Sequence, residues 1–260
     1  MDMNKPLDLK IKDRIATITL NRPEKRNALN DEMVAHITNA FAEVQASDGV
    51  KVVMLSHTGE VFCSGADLAH LQQMQGYDFE QNKADSEKLK DMFVQIFSCS
   101  KPVVGVVNGN AFAGGAGLLA VCDFVFCNPE SRFYFTEVKI GFIPAIVSYF
   151  TIKKTGKGRA AEWLLSGRAI TPAEALQVGY ISHISDKDKI YDEAFAFAQK
   201  LALQCSGEAM AQTKRLIQKL FYNDMQAALE LTVEANAQAR ESADCKRGIS
   251  AFLSKEKITW

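Results

Sequence analysis

The chain has 260 residues, 47% hydrophobic and 23% charged, enough to bury a full core in one large domain or two smaller ones. That composition excludes a disordered or collagen-like chain. Lys and Arg number 30 against 31 Asp and Glu, so a net charge of −1 supplies no global field for drawing in nucleic acid or an anionic membrane.

No apolar run reaches the roughly 20 residues needed to span a bilayer, and Met1-Asp2-Met3-Asn4-Lys5-Pro6 lacks the apolar stretch of a signal peptide. The expectation is a cytoplasmic protein with no membrane insertion and no nucleic-acid partner. Six cysteines without a CxxC pair, beside four histidines, point to neither a disulfide framework nor a metal site. Most of them read as small core hydrophobes.

Leu7–Ile11 and Ile15–Leu20 alternate apolar with polar residues around Lys12-Asp13-Arg14, the pattern of an antiparallel hairpin. Asn30 then caps a helix whose Met33, Ile37, Phe41 and Val44 share one face, and the apolar run Val52–Leu55 follows as a buried strand. The order recurs. A mostly helical segment from Ala66 to Cys99 leads to the strand Val103–Val107, a glycine-rich loop, the apolar segment Leu118–Val121 and the short strand Phe124–Phe126. Alternation of this kind, with nearly all-apolar strands, predicts an α/β core whose sheet is covered on both faces.

Beyond about residue 155 the pattern becomes helical. Thr171-Pro172-Ala173-Glu174 forms a capping box with Pro at the first helical position, and Gly179 closes that helix. Periodic segments at Lys189–Gln204, Glu208–Phe221, Met225–Ala239 and Asp244–Leu253 follow. The expected division is a core over 1–195 and a helical part over 196–260, packed on that core or on a partner subunit.

The densest glycine cluster, Asn108 to Gly117, lies between a buried strand and a helix. Such a loop brings bare backbone N–H groups up to a ligand and favours an anion or a developing oxyanion; its alternative is a tight turn packed under the helix. Gly109 to Gly114 has the spacing of a P-loop, but Gly115-Ala116 stands where Lys and Ser/Thr are required, so that reading fails. Gly115-Ala116-Gly117-Leu118-Leu119-Ala120, with Glu137 beyond it, fits a dinucleotide fingerprint and leaves a nicotinamide-dependent oxidoreductase as a rival. Against it, several residues separate the strand from Gly115.

Val61–Leu68 is a second loop of the same architecture. Two such loops can each point one N–H at a common carbonyl oxygen, the minimum for an oxyanion hole. Ser64 is not read as a nucleophile, because the GxSxG elbow is absent.

Five motifs in order carry a resemblance over nearly the whole chain: Asn21-Arg22-Pro23-Glu24-Lys25-Arg26-Asn27-Ala28-Leu29, Phe62–Leu68, Lys101-Pro102-Val103 leading into Asn108-Gly109, Cys122-Asp123, and Thr136–Pro144. The chain resembles the crotonase superfamily, the enoyl-CoA hydratase/isomerase family. That resemblance implies a spiral of ββα units with a helical C-terminal trimerisation region, assembled as a homotrimer or hexamer. It also implies an acyl-CoA substrate, whose coenzyme A is carried by the substrate, with no tightly bound cofactor and no metal.

By the same resemblance, the amides of Ala66 and Gly114 bind the thioester oxygen. Lys25, Arg26, Ala28, Ser64, Gly65, Asp67 and Leu68 lie beside the coenzyme, and Phe252 and Lys255 reach a coenzyme from a C-terminal helix. Two acidic positions flank the acyl chain in typical hydratases of the family; one falls on Glu137 and the other on Gly117. A single carboxylate then either hydrates a 2-enoyl thioester or isomerises a 3-enoyl one, and an idle acyl-CoA-binding protein is a further alternative. The combination of Gly115-Ala116-Gly117-Leu118 with Glu137–Ala145 looks like a bacterial branch assigned to methylglutaconyl-CoA hydratases of leucine breakdown, and the larger side chains of Pro144-Ala145-Ile146-Val147-Ser148 are expected to line or tighten the acyl pocket. His36, His57, His70 and His183 match no catalytic position and read as structural or surface residues.

Overall fold

The computed structural model describes residues 5–221 and 224–258; Met1–Asn4, read above for a leader, lie outside them. Strands β1 (Leu7–Lys12) and β2 (Ile15–Leu20) form the expected hairpin, with Leu7 opposite Leu20 and Lys12 opposite Ile15. Asn30 caps α1 (Asp31–Ala46) by accepting from the Met33 amide, and the helix buries Met33, Ile37, Ala40, Phe41 and Val44. The apolar spacing thus becomes the packed face.

Three similar turns follow. The first contains β3 (Val52–His57), β4 (Val61–Cys63), α2 (Leu68–Met74) and α3 (Phe79–Ser98). The second contains β5 (Val103–Val107), β6 (Asn110–Phe112) and α4 (Gly114–Ala120). The third has β7 (Phe124–Cys127), β8 (Phe133–Tyr134), a 3₁₀ turn over Glu137–Ile140 and α5 (Ala145–Thr155). Each turn gives its first strand to one sheet and its second to another. With β9 (His183–Ile184) the larger sheet runs β1-β2-β3-β5-β7-β9, and the smaller runs β4-β6-β8. The strand pairings after the hairpin are parallel, and an isolated antiparallel bridge joins Phe133 to Ile170. This is the spiral of ββα units that the motifs imply.

Successive residues of a strand face opposite sides of its sheet. Val53 and Leu55 accordingly enter the main core, while Val52 and Met54 join Val104, Val106 and Phe126 under α8 (Ile190–Gln204), which covers the other face with Ile190, Ala194, Ala198 and Ala202. The division expected at residue 195 therefore falls inside a helix that the sheet holds along its length. After α6 (Lys157–Ser166) and α7 (Pro172–Gln177), with its observed Thr171–Glu174 capping box, the C-terminal helices are α9 (Gly207–Phe221), α10 (Met225–Glu241) and α11 (Ala243–Ser254). Helix α10 lies on α3 and α5, and α11 rests on α2 and the 137–140 turn.

Two expectations change. The segment 66–99 is two helices, because Asp78 starts a new one with a capping box to Gln81. The glycine cluster is not one open loop: Asn110–Phe112 is a strand, and Gly114, Gly115 and Gly117 already lie in α4. All six cysteines are free, and only Cys205 is not buried. Among the described residues no helix is long and apolar enough to cross a membrane.

Candidate active site

The loop before α2 and the loop before α4 meet. Gly65 takes φ +81°, and a Cβ there would lie 2.9 Å from Ala113 Cβ, 3.1 Å from the Phe112 carbonyl oxygen and 3.6 Å from the Gly114 nitrogen. Only glycine permits both the positive φ and the approach. Ala113 adopts φ 49°, ψ −121°, a region sparsely populated for a residue with a side chain, and its own amide is fixed by the Tyr134 carbonyl at 2.7 Å. This turn aims the next amide, that of Gly114.

Opposite, Ala66 bridges to Leu29: the Leu29 amide donates to Gly65 O at 2.7 Å and the Asp67 amide donates to Leu29 O at 3.0 Å. Those bonds leave the Ala66 N–H facing away. Among the described residues neither the Ala66 nor the Gly114 amide donates to a protein atom, and both residues line the same cavity of about 1050 Å³. Two free donors at the junction of two rigid loops are what a developing oxyanion needs.

Glu137 lines that cavity from the start of the 3₁₀ turn. The residue is half-buried, yet its Oε2 is enclosed and without a hydrogen-bond partner. Burial, opposed only by its own backbone amide, raises its carboxyl to about 7, the range suited to giving and taking protons near neutrality. Its turn is held from behind: a Cβ on Gly248 of α11 would overlap the Ile140 carbonyl, so the two backbones touch. Gly117 lies buried in α4, where an added Cβ would overlap Val147 Cγ1 and sit 3.1 Å from Phe93 Cζ. Hydrocarbon of Val147 and Phe93 thus fills the space into which a side chain at position 117 would extend, and Gly117 itself does not line the cavity.

The residues expected beside a coenzyme separate into two groups. Lys25, Arg26, Ala28, Ser64, Asp67, Leu68 and Phe252 line the cavity, whereas Gly65 and Lys255 do not. Gly65 is buried beneath Ala113, and Lys255 closes α11 in an exposed left-handed turn. Asp67 is also structural. One oxygen caps α2 through the Ala69 amide at 2.9 Å and the other takes Arg22 Nη1 at 2.7 Å. Burial pushes its carboxyl up, but these bonds outweigh that and hold it below the usual range. Asn27, fully buried, donates to the Thr58 and Val61 carbonyls at 2.9 Å each, fastening the 22–28 turn to β4.

The expectation for the histidines needs one correction. His57 is half-buried beside Phe62 and accepts the Asn108 amide at 3.0 Å, and desolvation lowers it to about 4. His70, however, lines the cavity together with Asp85, Asn236 and Arg240. Its place on α2, one turn beyond the Asp67 cap, is the only sequence signal for it. Asp85 and Arg240 have none, being 155 positions apart.

The dinucleotide alternative fails on packing. A Cβ at Gly115 would overlap the Cys63 carbonyl oxygen, so this glycine is spent on contact between α4 and β4 and no pyrophosphate can approach it. The sequence profile of the Enoyl-CoA hydratase/isomerase family matches residues 10–260. The chain belongs to that family.

This enoyl-CoA hydratase/isomerase family member is 37% identical over 244 residues to a Thermus thermophilus protein provisionally named an enoyl-CoA hydratase, covering 94% of this chain and 96% of the relative. It is 29% identical over 249 residues to the 2,3-dehydroadipyl-CoA hydratase of Escherichia coli, covering 93% of each. The crystal structure of an enoyl-CoA hydratase from Mycobacterium avium shares its fold with a TM-score of 0.85 at 27% identity over 97% of both chains.

Proposed function

We propose that the protein adds water across the 2,3 double bond of an acyl-CoA thioester, with Glu137 as its one acid–base carboxylate. The observation that carries this is the convergence on one cavity of two unpaired amides, Ala66 and Gly114, and the enclosed Oε2 of Glu137. Lys25 and Arg26 stand at the same cavity as cations for the coenzyme phosphates.

In this reading the thioester oxygen accepts from both amides. Glu137 takes a proton from water as the water oxygen bonds to C3, and the π electrons move through C2 onto the thioester oxygen. The enolate collapses as Glu137 returns that proton to C2, giving the 3-hydroxyacyl thioester with the carboxylate regenerated. Loss of one such amide donor costs about 3 to 4 kcal/mol of barrier in comparable holes.

A second reading is favoured by Val147 beside Gly117: with hydrocarbon in place of a second carboxylate, Glu137 carries a proton between C2 and C4 and shifts a 3-enoyl double bond without water. A turnover screen over straight-chain, branched and dicarboxylic 2-enoyl and 3-enoyl thioesters separates the two. A 3-hydroxyacyl product supports hydration, and a 2-enoyl product from a 3-enoyl substrate supports isomerisation. Methylglutaconyl-CoA belongs in that screen on the strength of Gly115–Leu118 combined with Glu137–Ala145.

The assembly we propose is a homotrimer or hexamer in the cytoplasm. Its support is the apolar surface of α9, where Leu216, Ile217, Leu220 and Phe221 are each at least half exposed, a face that symmetric closure would bury.

A further inference from the structure

The cavity carries a charged wall that neither the oxyanion chemistry nor an apolar acyl chain requires. Three helices contribute to it: His70 from α2, Asp85 from α3 and Arg240 from α10. His70 Nε2 lies 2.9 Å from Asp85 Oδ1, and Arg240 Nη1 lies 2.6 Å from Asp85 Oδ2. The Arg240 side chain is only 5% exposed, those of His70 and Asp85 13% each. The Arg240 guanidinium sits over the Phe142 ring, 5.2 Å from its centroid, and Phe142 is tied to the Glu137 turn by its amide, which donates to Glu137 O at 3.0 Å. The Arg240 contact is thereby linked, through Phe142, to the turn that carries the acid–base carboxyl, and the whole wall lines the same cavity as that residue.

Two polar atoms there lack a partner among the described residues: Arg240 Nε and Asn236 Oδ1, both enclosed and both on residues that line the cavity. The carboxylates are shared. One Asp85 carboxylate serves Arg240 and His70, and its hydrogen bond to His70 favours the protonated imidazole against burial. Asp31, 3.9 Å from His70 Nδ1, is exposed and shared with Lys88 Nζ at 3.4 Å. Donor atoms of Asp31, His70 and Asp85 come within 4.8 Å of one another, but a metal ion there would share the Asp85 carboxylate with a guanidinium. With the imidazole protonated, two cations from His70 and Arg240 share one Asp85 carboxylate, an arrangement that suits an anion.

We propose that His70 and Arg240, positioned by the Asp85 carboxylate between them, bind an anionic group at the far end of the acyl chain, so that the substrates are enoyl-CoA thioesters bearing a distal carboxylate. This rests on the acyl-CoA reading above, which sets the direction in which the ligand lies. A carboxylate adds charge-assisted hydrogen bonds to whichever N–H groups face the cavity, and a terminal methyl at the same place leaves those groups unpaired.

The test is calorimetric titration of the full chain with saturated, unreactive thioesters matched in length: adipyl-CoA against hexanoyl-CoA, and glutaryl-CoA against pentanoyl-CoA. In at least one pair the carboxylate form should bind tenfold or more tightly, and in His70→Gln and Arg240→Gln that ratio should fall to within about threefold of one. Arg240→Gln strands Asp85 in a buried site, so the double variant Asp85→Asn/Arg240→Gln is measured beside it and His70→Gln gives an independent reading. Equal affinities within both pairs, or a preference that survives in every folded variant, overturns the proposal. Preference without hydration of 2,3-dehydroadipyl-CoA or trans-2-hexenoyl-CoA leaves the subsite standing and removes the hydratase reading. Failure of all four thioesters to bind removes both.

Discussion

Val147 fills the space into which a side chain at position 117 would extend. A Cβ added to Gly117 would overlap Val147 Cγ1 and come within 3.0 Å of Val147 Cβ, with Phe93 Cζ at 3.1 Å on another side. The small residue in α4 and the branched one in α5 are a matched pair, and position 117 has no room for a carboxylate while Val147 stays where it is.

Gly117→Glu alone should therefore destabilise the fold. Overpacking of a close-packed site costs about 1 to 3 kcal/mol, which in a chain of this size lowers the melting temperature by several degrees. Combining it with Val147→Gly makes room and should recover part of that loss. Thermal melts of the two single variants and the double variant decide it; an unaltered melt for Gly117→Glu would show that α5 yields freely.

Glu137→Gln keeps the shape of the side chain and removes the base. Turnover on the best thioester from the screen should fall about 100-fold or more, with KM changed little, because the amides and the coenzyme contacts remain. Steady-state kinetics check this, and near-normal turnover would remove Glu137 from the mechanism.

The same carboxyl makes a paired forecast in pH. Burial holds it near 7, so the base form is scarce at pH 6, and kcat/KM should rise as pH climbs through about 7. Stability runs the other way. A carboxyl whose folded value lies above its unfolded one binds more protons when folded, so wild type loses stability between roughly pH 4.5 and pH 7. Gln does not titrate. The melting temperature of Glu137→Gln relative to wild type should accordingly increase from pH 5 to pH 8, and a gap that stays constant would show the carboxyl to be solvated.

Gly65→Ala tests the two amides without touching either. The added methyl would press on Ala113 Cβ at 2.9 Å and on the Phe112 carbonyl at 3.1 Å, at a φ of +81° that disfavours any side chain. The loops must part, so kcat should fall about tenfold or more, through a step in which the oxygen carries charge. Parallel measurement of saturated acyl-CoA affinity, expected to change far less, separates this from general loss of folding.

What the sequence determined here is local. Apolar spacing set the face of α1, the Asn30 cap set its start, and alternation set the β1–β2 hairpin. Glycines at 65 and 114, each just before or at a helix start, marked two backbone segments free of side-chain obstruction, and Glu137 was legible through its motif. Strands β4, β6 and β8 were not, because two or three residues are too few for a period to register. Their parallel pairing, which brings the two loops together, exists only once the spiral closes. The missing second acid was legible at Gly117 through the family resemblance, but the tertiary structure alone decided what packs there, since nothing near Gly117 in the chain announces its contact with Val147. It alone brought His70, Asp85 and Arg240 to one wall. Backbone geometry is written in neighbouring residues, whereas a charged cluster drawn from three helices depends on how those helices pack, and that packing has no local signature.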